Sequence, residues 1–227
     1  GVVTKFAADF DTAMVGVSKT VDMTDQEFEA MSNSIRDMAK EMPASAVEIA
    51  GVAEAAGQLG IEKENILGFT KTMIDLGETT NLTADEAATS FAKFANITQL
   101  PQTEFDKLGS VVVDLGNNMA TTEKDIVSMG TRLAGTGNQV GLTEAEIMGL
   151  AAAMSSVGIE AEAGGSAMST TLKKINTEVL SGGDKLKGYA QVAGMSANQF
   201  AEAWESRPTE ALTSFISGLK DIQASGG

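Results

Sequence analysis

A six-residue frame that starts helices recurs along this chain about every 20 residues. It consists of an apolar residue, a Ser or Thr cap, two variable residues, an acidic or polar residue and a second apolar residue. The cap hydroxyl accepts a hydrogen bond from a free N–H of the first turn, and the acidic or amide side chain returns a bond to the cap N–H. The full frame occurs at Met23–Phe28, Leu142–Ile147 and Met195–Phe200. Because each cap begins a new helix, the frame predicts short helices.

Five further copies keep part of this frame. Leu82–Ala87 and Thr121–Ile126 keep most of it, whereas the other three keep only the apolar ends: Met42–Val47, Ile61–Ile66 and Leu100–Phe105. A spacing of about 20 residues leaves room for a helix of about 15 residues and a short turn. We therefore predict an all-α fold, a compact array of short antiparallel helices joined by glycine-containing turns.

Twelve helices are predicted from the frames and from the glycines that follow them. Their ranges are 4–20, 24–41, 44–59, 62–77, 83–96, 102–118, 122–135, 143–157, 164–180, 184–193, 196–205 and 208–223. The glycines expected to end helices are Gly57, Gly60, Gly77, Gly116, Gly135, Gly137 and Gly158.

The spacing of the frames is regular as far as residue 157 and looser afterwards. We therefore predict an N-terminal helical array (1–137) and a C-terminal helical subdomain (138–227), with one continuous domain as the alternative. The best hinge candidates are the glycine-rich stretches at 135–141 and 181–184. The chain begins at Gly1 without a methionine, and we expect it to be a piece of a longer protein.

Composition excludes several classes of function. The chain has no cysteine and no histidine, so it lacks thiolate chemistry, the commonest general base and the commonest transition-metal ligand. Its net charge of −15 repels nucleic-acid phosphates, so we expect no nucleic-acid binding. The longest uncharged, mostly apolar run, Ile147–Ile159, is well short of the roughly 20 residues that span a bilayer, so we expect no membrane span.

Two short motifs resemble catalytic ones. Ser90 and Lys93 have the S-x-x-K spacing of penicillin-recognising enzymes, but the other motifs of that class are missing, and a solvated pair on a helix surface is the better interpretation. Glu205 precedes a serine, as the acid catalyst of a lytic transglycosylase does. Such a Glu needs a hydrophobic pocket to hold its proton, and Trp204 is adjacent. Arg207 and a proline follow, the downstream motif is missing and aromatic residues are scarce, so we interpret Glu205 as exposed at a helix end.

A glycine-rich stretch and two carboxylate pairs have some features of binding sites. The glycines at 135–141 precede a helix but lack the lysine of a phosphate loop, so we predict an interhelix turn. The carboxylate pairs Glu160 with Glu162 and Asp9 with Asp11 lack the glycine turn of a calcium loop. We assign no catalytic, cofactor-binding or metal-binding residue. The 12 methionines are interpreted as core residues, with an adaptable helix-binding face as the alternative.

The segment Gly141–Ile175 (GLTEAEIMGLAAAMSSVGIEAEAGGSAMSTTLKKI) carries a family resemblance. It combines a helix rich in small residues, a Gly-Ile bend, an acidic stretch leading to Ala163–Gly165, and a second helix. This pattern resembles the tail tape measure proteins of long-tailed bacteriophages and prophages. Phe6–Gly60 and Gly194–Leu219 are also similar to that family, so the resemblance covers nearly the whole chain.

The resemblance implies a non-enzymatic structural component of a phage or prophage tail. It implies residence inside the tail tube after synthesis in the bacterial cytoplasm, a role in setting tail length, and release with the DNA at infection. The implied partners are other copies of the chain, tail tube and tail tip proteins, and assembly chaperones. The alternatives are a helical-repeat adaptor with a methionine-lined groove for a partner helix, and, third, a cell-wall lytic domain.

Overall fold

The computed structural model describes residues 2–225, apart from the side chains of residues 2–4 and 6. Over this range it contains twelve α-helices, two 3-10 turns and no strand, which confirms the all-α prediction. The helices are α1 (Val2–Thr20), α2 (Asp25–Glu41), α3 (Ala46–Gln58), α4 (Ile66–Thr79), α5 (Ala84–Thr98), α6 (Phe105–Asn118), α7 (Glu123–Gln139), α8 (Glu144–Ser156), α9 (Ala161–Ser181), α10 (Leu186–Val192), α11 (Ala197–Ser206) and α12 (Pro208–Ala224). The 3-10 turns, Lys63–Asn65 and Gln102–Glu104, directly precede α4 and α6. None of the helices in residues 2–225 has the length and apolarity needed to cross a membrane.

Glycines end fewer helices than predicted. Gly60 and Gly158 follow α3 and α8 with φ of +83° and +80°, a left-handed conformation that glycine adopts without a steric penalty. Helix α7 instead continues through Gly135 and Gly137 to Gln139. The predicted interhelix turn and hinge at 135–141 is therefore wrong for its first five residues.

Some glycines in the last turn of a helix allow the returning chain to approach closely. A Cβ atom on Gly77 would lie 2.9 Å from the backbone nitrogen of Ala84, at the start of α5. A Cβ atom on Gly137 would lie 2.7 Å from Cγ1 of Ile147 in α8. These two glycines therefore serve the packing of one helix end against the next helix start.

The chain divides into two compact units, Gly1–Ser128 and Met129–Gly227. Helix α7 contributes residues to both. The predicted division at 137/138 falls within the same helix, and the assignment of two separately folding regions stays a prediction.

The first unit is built around α3 and α4. Helix α3 packs against α1, α2, α4 and α5, and α4 packs in turn against α5 and α6. Its core includes the fully buried Ile49 and Phe91, together with Phe69, which meets Phe105 edge-on at 4.7 Å between ring centroids. Aromatic pairs in this geometry add stability beyond the area that they bury.

Frames two steps apart along the chain lie side by side in this unit. Lys63 Nζ contacts Glu27 Oε1 at 2.7 Å, and Lys124 Nζ contacts Glu86 Oε1 at 2.6 Å. The hydrogen bonds from Lys63 and then from Thr24 hold the pKa of Glu27 at about 2. Ion pairs as exposed as these contribute little to stability. They show instead that alternate helices start at the same end, as the antiparallel prediction requires.

A glutamine side chain makes the equivalent link between the two frames that start with 3-10 turns. Gln102 Oε1 accepts a hydrogen bond from the N–H of Glu62 at 2.7 Å, and Gln102 Nε2 donates to the carbonyl of Gly60 at 3.2 Å. In neither 3-10 turn does the side chain of the preceding residue form a capping hydrogen bond with the first N–H groups of the turn. The backbone at the start of one frame is thus satisfied by a residue 40 positions later.

The second unit contains α8 to α12, and Trp204 of α11 lies in its core. The indole is 2% exposed, stacks on Phe200 at 6.0 Å between centroids, and donates from Nε1 to Oδ1 of Asn176 in α9 at 3.1 Å. Phe215 of α12 meets Tyr189 of α10 edge-on at 5.7 Å. Because Trp204 is the chain's one tryptophan, its fluorescence reports specifically on this unit.

Candidate functional site

The helix–bend–helix segment at 141–175 begins with the predicted capping box. The N–H of Glu146 donates to Thr143 Oγ1 at 3.3 Å, and the N–H of Thr143 donates to Glu146 Oε2 at 2.8 Å. Burial acts to raise the pKa of Glu146, but the hydrogen bonds from the Thr143 backbone and from the Thr209 and Thr143 hydroxyls together outweigh it, and the pKa lies below its ordinary value. Glu146 therefore stays ionised near neutral pH and holds the start of α8.

Two apolar side chains on either side of this box secure it to α7. Leu142 and Ile147 are buried, and both come within 4 Å of the position that a Cβ atom on Gly137 would occupy. This is the hydrophobic staple that the sequence predicts, with the last turn of α7 as a third participant. The angle between the incoming chain and α8 is thereby set by packing as well as by hydrogen bonds.

The bend after α8 exposes two apolar residues, Val157 and Ile159, and Ile159, 41% exposed, also packs against α9. Val157 is 73% exposed, whereas a methyl group of Ile159, Cγ2, lies where a Cβ atom on Gly164 would be. Gly158 turns the chain between them with φ of +80°. Ile159 therefore folds back over the first turn of α9.

Helix α9 begins at Ala161, three residues earlier than predicted, so the two adjacent glycines lie inside it. A Cβ atom on Gly165 would lie 2.8 Å from Cβ of Arg132 in α7, and one on Gly164 would lie 3.3 Å from the terminal methyl groups of Met129 and Met154. The glycine pair is needed because the first turn of α9 crosses α7 and α8 in close contact. Sequence reasoning missed the role of Arg132, since no local pattern connects it to Gly165.

Replacing Thr143 by alanine is expected to lower the free energy of unfolding by roughly 0.5–2 kcal/mol, because the N–H of Glu146 loses its acceptor. Urea denaturation followed by Trp204 fluorescence measures this. Thr170→Ala is the matched control, since Thr170 is exposed in α9 and its hydroxyl donates only to the carbonyl of Ser166 in the same helix. Equal urea midpoints for Thr143→Ala and the unchanged protein would contradict the role of the box.

The residues with catalytic resemblance are not assembled into a site. Lys93 is exposed and Ser90 half-buried on α5, and no hydrogen bond joins them among the described residues. Glu205 is exposed at the end of α11, while the neighbouring Trp204 points into the core and bonds Asn176. Trp204 therefore does not shield the Glu205 carboxyl as an acid catalyst would require.

The carboxylate pairs also lie on the surface. Glu160 and Glu162 are exposed at the start of α9, where acidic residues favour the positive end of the helix dipole. Asp9 and Asp11 are exposed on α1, and Asp11 lies 3.7 Å from Arg36. Within residues 2–225 no cluster of three acidic side chains has the geometry of a metal site.

Three surface grooves of about 280 to 510 Å³ lie between helices. The largest of these three lies in the first unit and is lined by residues that include Pro43, Glu48 and Thr83. The smallest lies in the second unit beside Lys173 and Tyr189. Neither the Ser90–Lys93 pair nor Glu205 lines any of the three.

The methionines contribute to the interior rather than to an exposed groove. Six of the twelve are buried, the other six are half-buried, and none is exposed. Met129 and Met148, for example, have no exposed surface in the second unit. This agrees with the interpretation of methionine as a flexible residue that fills gaps in a core.

Comparison with known proteins gives a family match. The sequence model of the family described as "Phage-related minor tail protein" matches residues 32–225, most of the chain and all of the helix–bend–helix segment. No curated protein and no solved structure matches the chain. The match includes the whole second unit up to residue 225 and most of the first. The chain therefore belongs to the family of phage-related minor tail proteins.

Proposed function

We propose that this chain is a segment of a tail tape measure protein, with a structural and non-catalytic role in the tail of a phage or prophage. The observation that carries the proposal is the family match over residues 32–225. The resemblance of Gly141–Ile175 to tape measure proteins narrows the proposal from tail proteins in general to a tape measure protein. The staple and glycine contacts of this segment support a packing role, because Leu142 and Ile147 are buried and the glycines at 164–165 lie against side chains of α7 and α8.

Within such a protein, the segment acts as a folded attachment or assembly domain. The longest helix in residues 2–225 is α9, with 21 residues, and it extends for about 32 Å. A single continuous helix of 227 residues would extend for roughly 340 Å. A chain divided into short capped helices is poorly suited to measure length directly. Tail length would instead be set by other parts of the longer protein.

The proposed location is the interior of the tail tube, after synthesis in the cytoplasm of the bacterial host. The proposed partners are other copies of the chain, tail tube and tail tip proteins, and assembly chaperones. Release with the DNA at infection is part of the same proposal. These specific assignments derive from the resemblance, whereas the family match supports a tail component in general.

The alternative functions have less support. An adaptor with a methionine-lined groove needs exposed methionines, and all twelve are buried or half-buried. A lytic domain built on Glu205 needs a shielded carboxyl, and Glu205 is exposed.

The assembly role is tested by deleting residues 32–225 in frame from the gene in the intact phage. We expect assembly of tails, or their infectivity, to be lost. Electron microscopy of the particles measures tail length in the same experiment. Viable tails shortened by roughly 290 Å, the length of 194 residues in a continuous helix, would show that the segment is a ruler.

The location is tested separately with antibodies against this chain. We expect the protein to be present in purified tails by immunoblotting and to resist protease until the tube is disrupted. Digestion on intact tails would contradict a location inside the tube. Absence from purified tails would contradict a structural role in the mature particle.

A further inference from the structure

The groove between α9 and α10 in the second unit is lined mainly by basic and hydroxyl side chains. It has a volume of about 280 Å³, and its lining includes Thr170, Lys173, Lys174, Thr177, Lys185 and Tyr189. The stretch 163–195 contains four lysines and two acidic residues, whereas the whole chain has 16 basic and 31 acidic residues. This surface, which we call the α9–α10 groove, therefore reverses the charge of the chain locally.

The α9 side of the groove is one face of that helix. Thr170, Lys173, Lys174 and Thr177 have the i, i+3, i+4, i+7 spacing of neighbours on a helix surface. The hydroxyls of Thr170 and Thr177 donate to the carbonyls of Ser166 and Lys173 in the same helix, each at 2.9 Å. The groups on this face that stay free to donate to a ligand are therefore the two ammonium groups.

The lysines of the groove have no carboxylate partner in the described part of the chain. Lys173, Lys174 and Lys185 are exposed, and none of them forms an ion pair within residues 2–225. Glu178 also lines the groove, but its Oε2 accepts a hydrogen bond from the backbone N–H of Lys185 at 3.2 Å and lies where a Cβ atom on Gly183 would be. Glu178 is thus directed towards the turn before α10, and the three ammonium groups stay available to an anion.

The groove also offers apolar surface. The ring of Tyr189, on the α10 side, is held edge-on against Phe215 at 5.7 Å between centroids, and its hydroxyl forms no hydrogen bond within residues 2–225. Leu180 follows Thr177 by three residues on the groove face of α9 and is 71% exposed. A partner that covers this surface gains from apolar side chains as well as from negative charge.

These features together favour an acidic polypeptide over the other anions. A free phosphate has no apolar surface to place against Leu180 or Tyr189. A nucleic acid continues as a line of phosphates beyond the groove, where a protein with a net charge of −15 repels it. A short peptide segment with a few carboxylates and an apolar side chain meets the lysines without that repulsion.

We propose that the α9–α10 groove binds a short acidic segment of a partner protein, with carboxylates at the lysines and an apolar side chain against Tyr189 and Leu180. The proposal goes beyond the proposed tail function and does not depend on it, because it concerns the chemistry of this surface alone. Each contact between a carboxylate and an exposed lysine is weak by itself. Binding therefore needs several such contacts at once, and it weakens as salt screens them.

The chain's one tyrosine makes the groove directly observable. Fluorotyrosine incorporated during expression places a single fluorine at Tyr189, and its magnetic resonance signal is followed while a ligand is added to the whole 227-residue chain. The probe is a short synthetic peptide of repeated Glu-Glu-Leu units, and the control peptide has glutamine in place of every glutamate. Oligothymidylate of equal charge and inorganic phosphate are tested in separate titrations.

We expect the acidic peptide to shift the signal until it saturates, and the glutamine peptide to leave it unchanged. Lys174→Glu combined with Lys185→Glu should raise the dissociation constant roughly tenfold or more, because attraction becomes repulsion. The matched control is Lys93→Glu combined with Lys220→Glu, which makes the same charge change at two exposed lysines that do not line the groove. We expect its dissociation constant to stay within about twofold of that of the unchanged chain, and circular dichroism to be the same for both variants, since all four lysines are exposed.

Three results would overturn the proposal. The first is the absence of a saturable shift with the acidic peptide, or an equal shift with the glutamine peptide. The second is the same dissociation constant for the two double variants, which would mean that the peptide responds only to the charge of the whole chain. The third is tighter binding of oligothymidylate or phosphate than of the peptide, which would assign the groove to a nucleic acid or to a small anion. Because the purified chain alone is used, the result is independent of the phage experiments.

Discussion

Replacing Ile147 by alanine is expected to lower the free energy of unfolding of the second unit by about 2–5 kcal/mol. Ile147 has no exposed surface, and its Cγ1 lies against the glycine surface of α7 at Gly137. The substitution removes three carbons and leaves a cavity that Gly137, without a side chain, cannot fill. Urea denaturation followed by Trp204 fluorescence measures the change.

Ile222→Ala is the matched control, because it removes the same atoms from a side chain that is 43% exposed in the same unit. We expect its effect to lie within about 0.5 kcal/mol, as for most surface substitutions. Similar losses for the two variants would mean that the contact of α8 with α7 does not hold the unit together.

Gly218→Ala is expected to destabilise the same unit by about 1–3 kcal/mol, although alanine is the better helix former. The added Cβ atom would overlap the carbonyl oxygen of Val192. A backbone atom at a helix end cannot move aside as the end of a flexible side chain can, so α10 and α12 must separate. The loss is measured by thermal or urea unfolding with Trp204 as the probe.

Gly188→Ala provides a control with the opposite sign. Gly188 lies in α10, is exposed, and has open space where its Cβ atom would be. Alanine there should stabilise the unit by roughly 0.5–1 kcal/mol, because it removes conformational freedom of the unfolded chain at no steric cost. A stabilising effect of both substitutions would show that α12 does not lie against Val192.

The helix starts could be predicted because their hydrogen bonds are local. Each capping box joins residues three apart, and the boxes at Thr24, Thr143 and Ser196 form as their sequences predict. In the frame at Met42–Val47 the cap is Ser45, which forms a complete box with Glu48. The S-x-x-E spacing at 45–48 would have located that cap.

Helix ends were harder to predict because glycine has two uses. A glycine after a helix supplies a left-handed residue, as at Gly158, whereas one in the last turn leaves space for a neighbour, as at Gly77 and Gly137. The second use depends on what packs there, and only the folded structure shows it. The contact of Gly165 with Arg132 could not be predicted for the same reason, because the two residues are far apart in the sequence and meet only in the folded chain.

The candidate site was predicted as a helix, a bend and a helix, and the structure agrees except for the start of α9. The heptad spacing of apolar residues in α12, at Leu212, Phe215, Leu219 and Ile222, was not predicted, although it is visible in the sequence. The spacing alone could not separate covered from exposed positions, since Leu212 and Leu219 occupy the same heptad position but differ in exposure from 5% to 46%.

The contacts between frames two steps apart show that consecutive helices of the first unit start at opposite ends. Helices that start at one end alternate with helices that start at the other, so Glu27 meets Lys63, and Glu62 meets Gln102. Insertion or loss of two frames, about 40 residues, would leave every later helix starting at its present end. A change of one frame would reverse all later helices and separate each cap from its present neighbours. Relatives of this unit that differ in length are therefore expected to differ by pairs of helices, and an odd difference would require a new set of contacts at both ends.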